Sequence, residues 1–237
     1  MSEVSTEAGT RLRLDLWHPD CWAIQATERH EGGILAHAVY DTPTRGESTV
    51  NGLFTAYGET EGEVETLIAD IESSPLTDTV RELQTQFDTR RHRIAPGSVS
   101  REFFLEHDPG NMICPLLLEH GFVHTAPGKI EGGRENWDVR YLGERSDIET
   151  EIDEICERTG AEIDIARIGS VGGESRELQQ VDRLTRSQRE VYELAREKGY
   201  YEWPREVSTR ELADQLDISK TTLLEHLRKA EAKLLDP

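Results

Sequence analysis

The sequence predicts an α+β protein: tandem ferredoxin-like (βαββαβ) repeats followed by an all-α helix-turn-helix domain. Three observations predict it. Alternating stretches and amphipathic ones follow one another in the order β-α-β-β-α-β between residues 11 and 87. The same order recurs between residues 98 and 168. Beyond residue 173 the apolar period becomes wholly helical. The predicted units are 1–96, 97–172 and 173–237.

In the first repeat, Arg11–Trp17 (RLRLDLW) alternates polar and apolar and reads as a strand. Cys21, Ile24 and Ala26 give a short helix over Asp20–Arg29. Gly33–Tyr40 and Thr49–Tyr57 read as strands. Thr60-x-x-Glu63 is a capping box that opens a helix over Glu61–Glu72, with Val64, Leu67, Ile68 and Ile71 on one face and Pro75 as the stop. Thr79–Phe87 alternates again.

In the second repeat, Ser98–Glu106 is the strand and Asn111–His120 the short helix, ended by Gly121. Phe122–Ile130 and Trp137–Leu142 form a hairpin across the turn Glu131–Arg134. Ser146-x-x-Glu149 reads as a second capping box, opening a helix that ends at Thr159 with Gly160 as its stop. Glu162–Ile168 is the last strand, and Gly169–Glu174 reads as a hinge.

The chain of 237 residues carries 27 basic and 47 acidic side chains, a net charge of -20. The acidic excess is uneven. Residues 181–237 hold 11 Lys and Arg against 12 Asp and Glu. A segment that approaches a polyanion has a physical reason to be spared negative charge. Five of the basic residues are Lys, and this acid-rich, Lys-poor composition resembles that of proteins from salt-accumulating archaea. No run reaches the roughly 20 apolar residues of a membrane span. The polar, acidic start Met1–Gly9 does not read as a signal peptide, and three widely spaced cysteines make no disulfide framework. A cytoplasmic, reducing setting is expected.

The C-terminal segment is the most informative. Thr185-x-x-Gln188 caps a helix with Val191, Leu194 and Ala195 inward, and Gly199 ends it. Ser208-x-x-Glu211 caps a short helix, Asp217-Ile218-Ser219 forms a tight turn, and a longer helix runs to Leu235. A short capped helix, a three-residue turn and a longer helix make a helix-turn-helix, whose second helix enters the major groove N-terminus first. The residues placed for DNA contact are Ser208, Thr209, Ser219, Lys220, Thr221, Thr222, Glu225, His226, Arg228 and Lys229. Lys220 and Arg228 suit phosphates, and Thr222 and Glu225 suit base edges.

The stretch from Leu184 to Leu235 resembles the helix-turn-helix of haloarchaeal regulators of the bacterio-opsin activator type. The resemblance rests on the Leu184-Thr185 start, the Gly199-Tyr200-Tyr201 connector with Pro204, Glu211-Leu212-Ala213, and Ser219-Lys220-x-Thr222. It implies DNA-binding transcription regulation in a halophilic archaeon. Sequence-specific binding of double-stranded DNA by a homodimer is expected, with an N-terminal region that senses a signal, dimerises or contacts the basal transcription machinery. A metal- or redox-binding protein, or an interaction module docking on a protein, is the alternative.

Candidate sensing residues are His18 and Cys21 in HPDCW, and His107, Cys114 and His120 around the second short helix. Thiolate and imidazole suit zinc, copper(I) or iron, and a thiol at a helix start also suits redox chemistry. Packing of the two repeats would bring these groups into similar settings, or together. Cys114 in an apolar stretch also fits a small core residue. A small-molecule effector between the repeats is a second route, with the Gly-rich stretches 31–33, 128–134 and 169–173 admitting close approach or serving as turns. The sequence carries no P-loop, GxGxxG, GxSxG or HExxH motif, and no enzymatic activity is expected.

Overall fold

The computed structural model describes residues 9–44, 47–83, 95–169, 181 and 183–235. These divide into two units, one within residues 1–92 and 98–173, the other within 93–97 and 174–237.

The first unit runs β1 (Thr10–Trp17), α1 (Trp22–Arg29), β2 (Gly33–Thr44), β3 (Glu47–Gly58), α2 (Glu61–Ser73), β4 (Thr79–Glu82), β5 (Val99–His107), α3 (Cys114–Glu119), β6 (Phe122–His124), β7 (Gly128–Glu131), β8 (Arg134–Tyr141), α4 (Ile148–Thr159) and β9 (Glu162–Gly169). The predicted helices are present among the described residues, as are the predicted strands, the one over 122–130 being broken in two. Residues 84–87 of the last strand expected in the first repeat, and residues 170–174 of the expected hinge, lie outside the described residues.

The strands form one antiparallel sheet in the order β4-β5-β3-β2-β7-β8-β1-β9, with β6 also paired to β8. This differs from a boundary between residues 96 and 97. β1 lies between β8 and β9, the late strands of the chain, with Leu14 opposite Trp137 and Ile165. β5 lies between β3 and β4, with Phe103 opposite Phe54 and Glu82. The opening strand of each predicted repeat therefore pairs within the other's half of the sheet. The halves meet where β2 pairs β7, from Gly33 opposite Glu131 to Ala36 opposite Gly128. Alternation tells a strand which face to bury, and Leu12, Leu14 and Leu16 on β1 suit any sheet that offers an apolar face. Partner choice is not local information.

Two cores follow. In one, α1 and α2 cover β2, β3 and β5, with Ile130 of β7 added. Trp22 packs edge-on against Phe54 at 5.0 Å between ring centroids, and Phe54 stacks on Phe103 at 5.5 Å. In the other, α3 and α4 cover β1, β6, β8 and β9. So α1 follows β1 along the chain but buries its face in the opposite core.

Local signals explain most element ends. Thr60 caps α2 by accepting the Glu63 N–H at 3.3 Å. Gly160 ends α4 in the left-handed region, φ 71°, and donates to the Cys156 carbonyl. The capping box expected at Ser146 is not made. A 3₁₀ turn over Arg145–Asp147 precedes α4, and the Ser146 hydroxyl bonds Asp147 Oδ1 at 2.9 Å instead. The strand expected over Phe122–Ile130 breaks into β6 and β7. Pro127 lies in the gap, where a residue without an N–H interrupts the ladder.

The second unit contains α5 (Arg186–Glu197), α6 (Thr209–Gln215) and α7 (Lys220–Leu235). Val191, Ala195, Tyr200, Leu212, Ala213, Leu223 and Leu227 form its core, with Leu194, Leu216 and Ile218 packed at the edge. Lys233 on α7 donates to Gln188 Oε1 on α5 at 2.7 Å and to the Pro96 carbonyl. That side chain ties the last helix to the first.

Candidate functional site

The helix-turn-helix is set by its caps. Thr185 and Gln188 form the capping box of α5, and Ser208 and Glu211 that of α6. The Ser208 hydroxyl accepts from the Glu211 N–H at 3.3 Å, while Glu211 accepts from the Ser208 N–H at 2.8 Å. That hydrogen bond holds the Glu211 carboxyl below its ordinary range. Asp217 turns the chain with φ 53°, a left-handed conformation that Asp tolerates. The next N–H, of Ile218, donates to the Ala213 carbonyl at 3.1 Å.

Ser219 then caps α7. Its hydroxyl accepts from the Thr222 N–H at 3.0 Å and bonds the Thr222 hydroxyl at 2.8 Å. This changes the reading of Thr222: its hydroxyl is held in the helix start and the side chain is half-buried. His226 turns inward too, with Nδ1 buried and making no hydrogen bond among the described residues. Thr209 is half-buried and the Ser208 hydroxyl serves its cap.

Lys220, Thr221, Glu225 and Arg228 are exposed, and their spacing puts them on one face of α7. Glu225 is paired with Lys229 one turn on, at 3.0 Å. A base contact by Glu225 must therefore break an ion pair that itself contributes only about 0.5 kcal/mol. Two basic residues outside the predicted set stand at or before the start of α6. Arg210 is exposed in the first turn of α6, and Arg205 sits over the Tyr200 ring at 4.4 Å. Trp203, in the same connector, is 96% exposed.

The first unit gathers the proposed donor residues unevenly. His18 follows β1, and Cys21 is the residue before α1. Both are buried beside Glu135, the inward residue of β8 opposite Leu16. Cys21 Sγ lies 3.2 Å from Glu135 Oε1, and His18 Nε2 lies 3.6 Å from the same oxygen. The other oxygen, Oε2, accepts from Trp137 Nε1 at 2.6 Å. Burial, with the Glu135 charge nearby, raises the Cys21 thiol well above its ordinary value, and does the same to Cys114. Cys114 and His107 line the same cavity of about 50 Å³ as His18, Cys21 and Glu135. Burial lowers His107, whose Nδ1 bonds the Asp108 carbonyl at 2.9 Å.

His120 is not part of this group. Its Nδ1 meets Glu151 Oε2 at 2.5 Å, and Arg158 donates to its Nε2 at 3.1 Å. Glu135 was invisible in the sequence, being one of 47 acidic residues. Its inward register on β8 is what singles it out.

The Gly-rich stretches have packing roles in the described residues. A Cβ on Gly33 would stand 2.2 Å from the Tyr57 hydroxyl, and one on Gly128 3.2 Å from the Trp137 ring. Gly132 and Gly133, with φ 58° and 76°, make the turn between β7 and β8. Of the stretch 169–173, residues 170–173 lie outside the described residues. A cavity of about 50 Å³ has room for an ion and a water or two, far below the several hundred Å³ of an organic effector site.

A family model described as a helix-turn-helix DNA-binding domain matches residues 184–236. The chain is 54% identical over 55 residues to the transcriptional regulator NarO of Haloferax volcanii, covering 23% of this chain and 26% of that protein. It is 37% identical over 102 residues to the dimethyl sulfoxide reductase transcriptional activator of the same organism, covering 40% and 46%. The chain thus spans half or less of each of these relatives. No solved structure matches it. No described helix is long and apolar enough to cross a membrane. Residues 184–236 are a helix-turn-helix DNA-binding domain of the kind carried by haloarchaeal transcription regulators of the bacterio-opsin activator type.

Proposed function

We propose that this chain is a cytoplasmic, sequence-specific transcription regulator that binds double-stranded DNA as a homodimer, with an N-terminal unit that senses a signal, dimerises or contacts the basal transcription machinery. The observation that carries this reading is the exposed face Lys220, Thr221, Glu225 and Arg228 on α7, held forward by the Ser219 cap. An N-terminal end of a recognition helix reads base edges in the major groove. The near balance of charge after residue 181 lets this unit approach phosphates despite the net charge of -20 on the chain. In molar salt the Debye length is about 3 Å, so contacts of shape and hydrogen bonding carry more of the affinity than counterion release does.

The N-terminal unit reads as two ferredoxin-like halves with exchanged first strands. The orders β4-β5-β3-β2 and β9-β1-β8-β7 each follow the 4-1-3-2 pattern of that fold, with β5 and β1 in the place of strand 1.

The test is retention of genomic fragments by the purified chain in molar KCl, followed by sequencing. A shared half-site is expected. Thr221→Ala should relax base preference by roughly 1–3 kcal/mol at one position, and Arg228→Ala should weaken binding to all sequences alike. Thr222→Ala should act through helix stability instead. No enrichment of any site would overturn the reading.

A further inference from the structure

We infer that His18, Cys21 and Glu135 form a binding site for a tetrahedrally coordinated divalent transition metal ion of the zinc class. The donors come from three places in the fold: the end of β1, the start of α1 and the middle of the sheet on β8. Their ligand atoms all lie within 4.8 Å of one another, and all three residues are buried.

Three features of the geometry point to an ion. The first is spacing. Metal–nitrogen and metal–oxygen bonds of about 2.0–2.1 Å and metal–sulfur bonds of about 2.3 Å put tetrahedral ligands about 3.3–3.6 Å apart. The Cys21 thiol donates to Glu135 Oε1 at 3.2 Å and His18 Nε2 lies 3.6 Å from the same oxygen, each within a few tenths of an ångström of that spacing.

The second is the orientation of His18. Its Nδ1 lies 3.2 Å from the Pro19 carbonyl, which fixes the ring, and its Nε2 points at Glu135 Oε1 across 3.6 Å, longer than a normal hydrogen bond. A backbone carbonyl bonded to the far nitrogen is how metal-ligating imidazoles are held.

The third is a buried carboxylate. Glu135 is 4% exposed, and among the described residues it meets Cys21, His18 and Trp137 rather than a Lys or Arg. A buried carboxylate needs a counter-charge. Trp137 orients it through Oε2 and leaves Oε1 for the ion.

The fourth position opens on the cavity lined by His107 and Cys114 and takes water. On binding, the ion replaces the Cys21 thiol proton, which leaves to solvent. His18 and Glu135 coordinate without losing a proton. In the other candidate group, His120 with Glu151 and Glu154, His120 Nδ1 meets Glu151 Oε2 directly at 2.5 Å, which leaves no room for an ion between them, and Nε2 is bonded by Arg158.

The experiment uses the full chain, stripped with a chelator in molar KCl and titrated with Co²⁺. One equivalent should bind, with a thiolate-to-cobalt charge-transfer band and the intense visible bands of tetrahedral cobalt. Cys21→Ser should abolish the charge-transfer band, and Glu135→Gln should weaken binding by about tenfold or more. Cys156→Ser, outside the cluster, should change neither. Circular dichroism and DNA retention of each variant show that it is folded. A wild-type protein without the band, or a Cys21→Ser variant that keeps it, overturns the site. Because Co²⁺ is read directly, loss of the site and loss of DNA binding are separate outcomes.

Discussion

His124 rests on the indole of Trp137 with ring centroids 3.9 Å apart, and burial lowers its imidazole to about 4. An unfolded histidine titrates near 6.5. The folded chain therefore resists a proton that the unfolded chain accepts. Stability from this group is complete above about pH 6.5 and is lost as the pH falls toward 4, on the order of 3 kcal/mol in all. His124→Phe keeps the ring contact and removes the titration. Denaturation in molar KCl should show a flatter loss of stability between pH 6.5 and 4.5 for the variant. Equal slopes would mean that the imidazole reaches solvent. At this scale the sequence showed some groups and hid others. His18 and Cys21 stand out because the pair HPDC is rare in type and close in the chain. Glu135 does not, because its meaning lies in a strand register that no neighbouring residue encodes. A hydroxyl at a helix start suits a base and a cap equally, and that of Thr222 bonds the Ser219 cap.

At the scale of elements, capping separates local from tertiary causes. Ser208 and Glu211 satisfy two N–H groups at the start of α6. Ser208→Ala should lower the stability of the helix-turn-helix by about 0.5–2 kcal/mol. Ser146 occupies the same sequence pattern but makes no capping bond to α4, which starts from a 3₁₀ turn. Ser146→Ala should stay within about 0.5 kcal/mol of wild type. Thermal or urea unfolding of both variants checks the pair, and equal losses would contradict the two assignments. The contrast also shows why helices were the most readable elements. Apolar residues at i, i+3 and i+4 mark a face over many positions, so α2, α4, α5 and α7 were plain. A cap depends on how the chain arrives at the helix, which packing decides.

Within the first unit, the whole sheet depends on pairings that the chain order conceals. β1 is flanked by β8 and β9, and β5 by β3 and β4. Leu12, Leu14 and Leu16 fill the core beneath α3 and α4, while α1, next in the chain, fills the other core. Each half of the sheet thus lacks the opening strand of its own repeat and holds its counterpart's. Residues 1–96 alone would leave Phe54 and Phe103's place in the core half-built, and would expose the three leucines of β1. Residues 98–173 alone would leave β8 and β9 without the strand between them, exposing Trp137 and Val139. Neither fragment buries enough apolar surface to offset the entropy of ordering its chain. We therefore expect each fragment, expressed separately, to lack a cooperative thermal transition by circular dichroism. Mixed at equal concentration in molar KCl, the two should recover one, with a midpoint that rises with concentration because association is part of folding. Replacing Leu14 with Asp in the first fragment should prevent this recovery, since Leu14 is fully buried in the core built mainly from the second. Two fragments that each melt cooperatively alone would mean that β1 and β5 pair at home, and the shared sheet would fall with them.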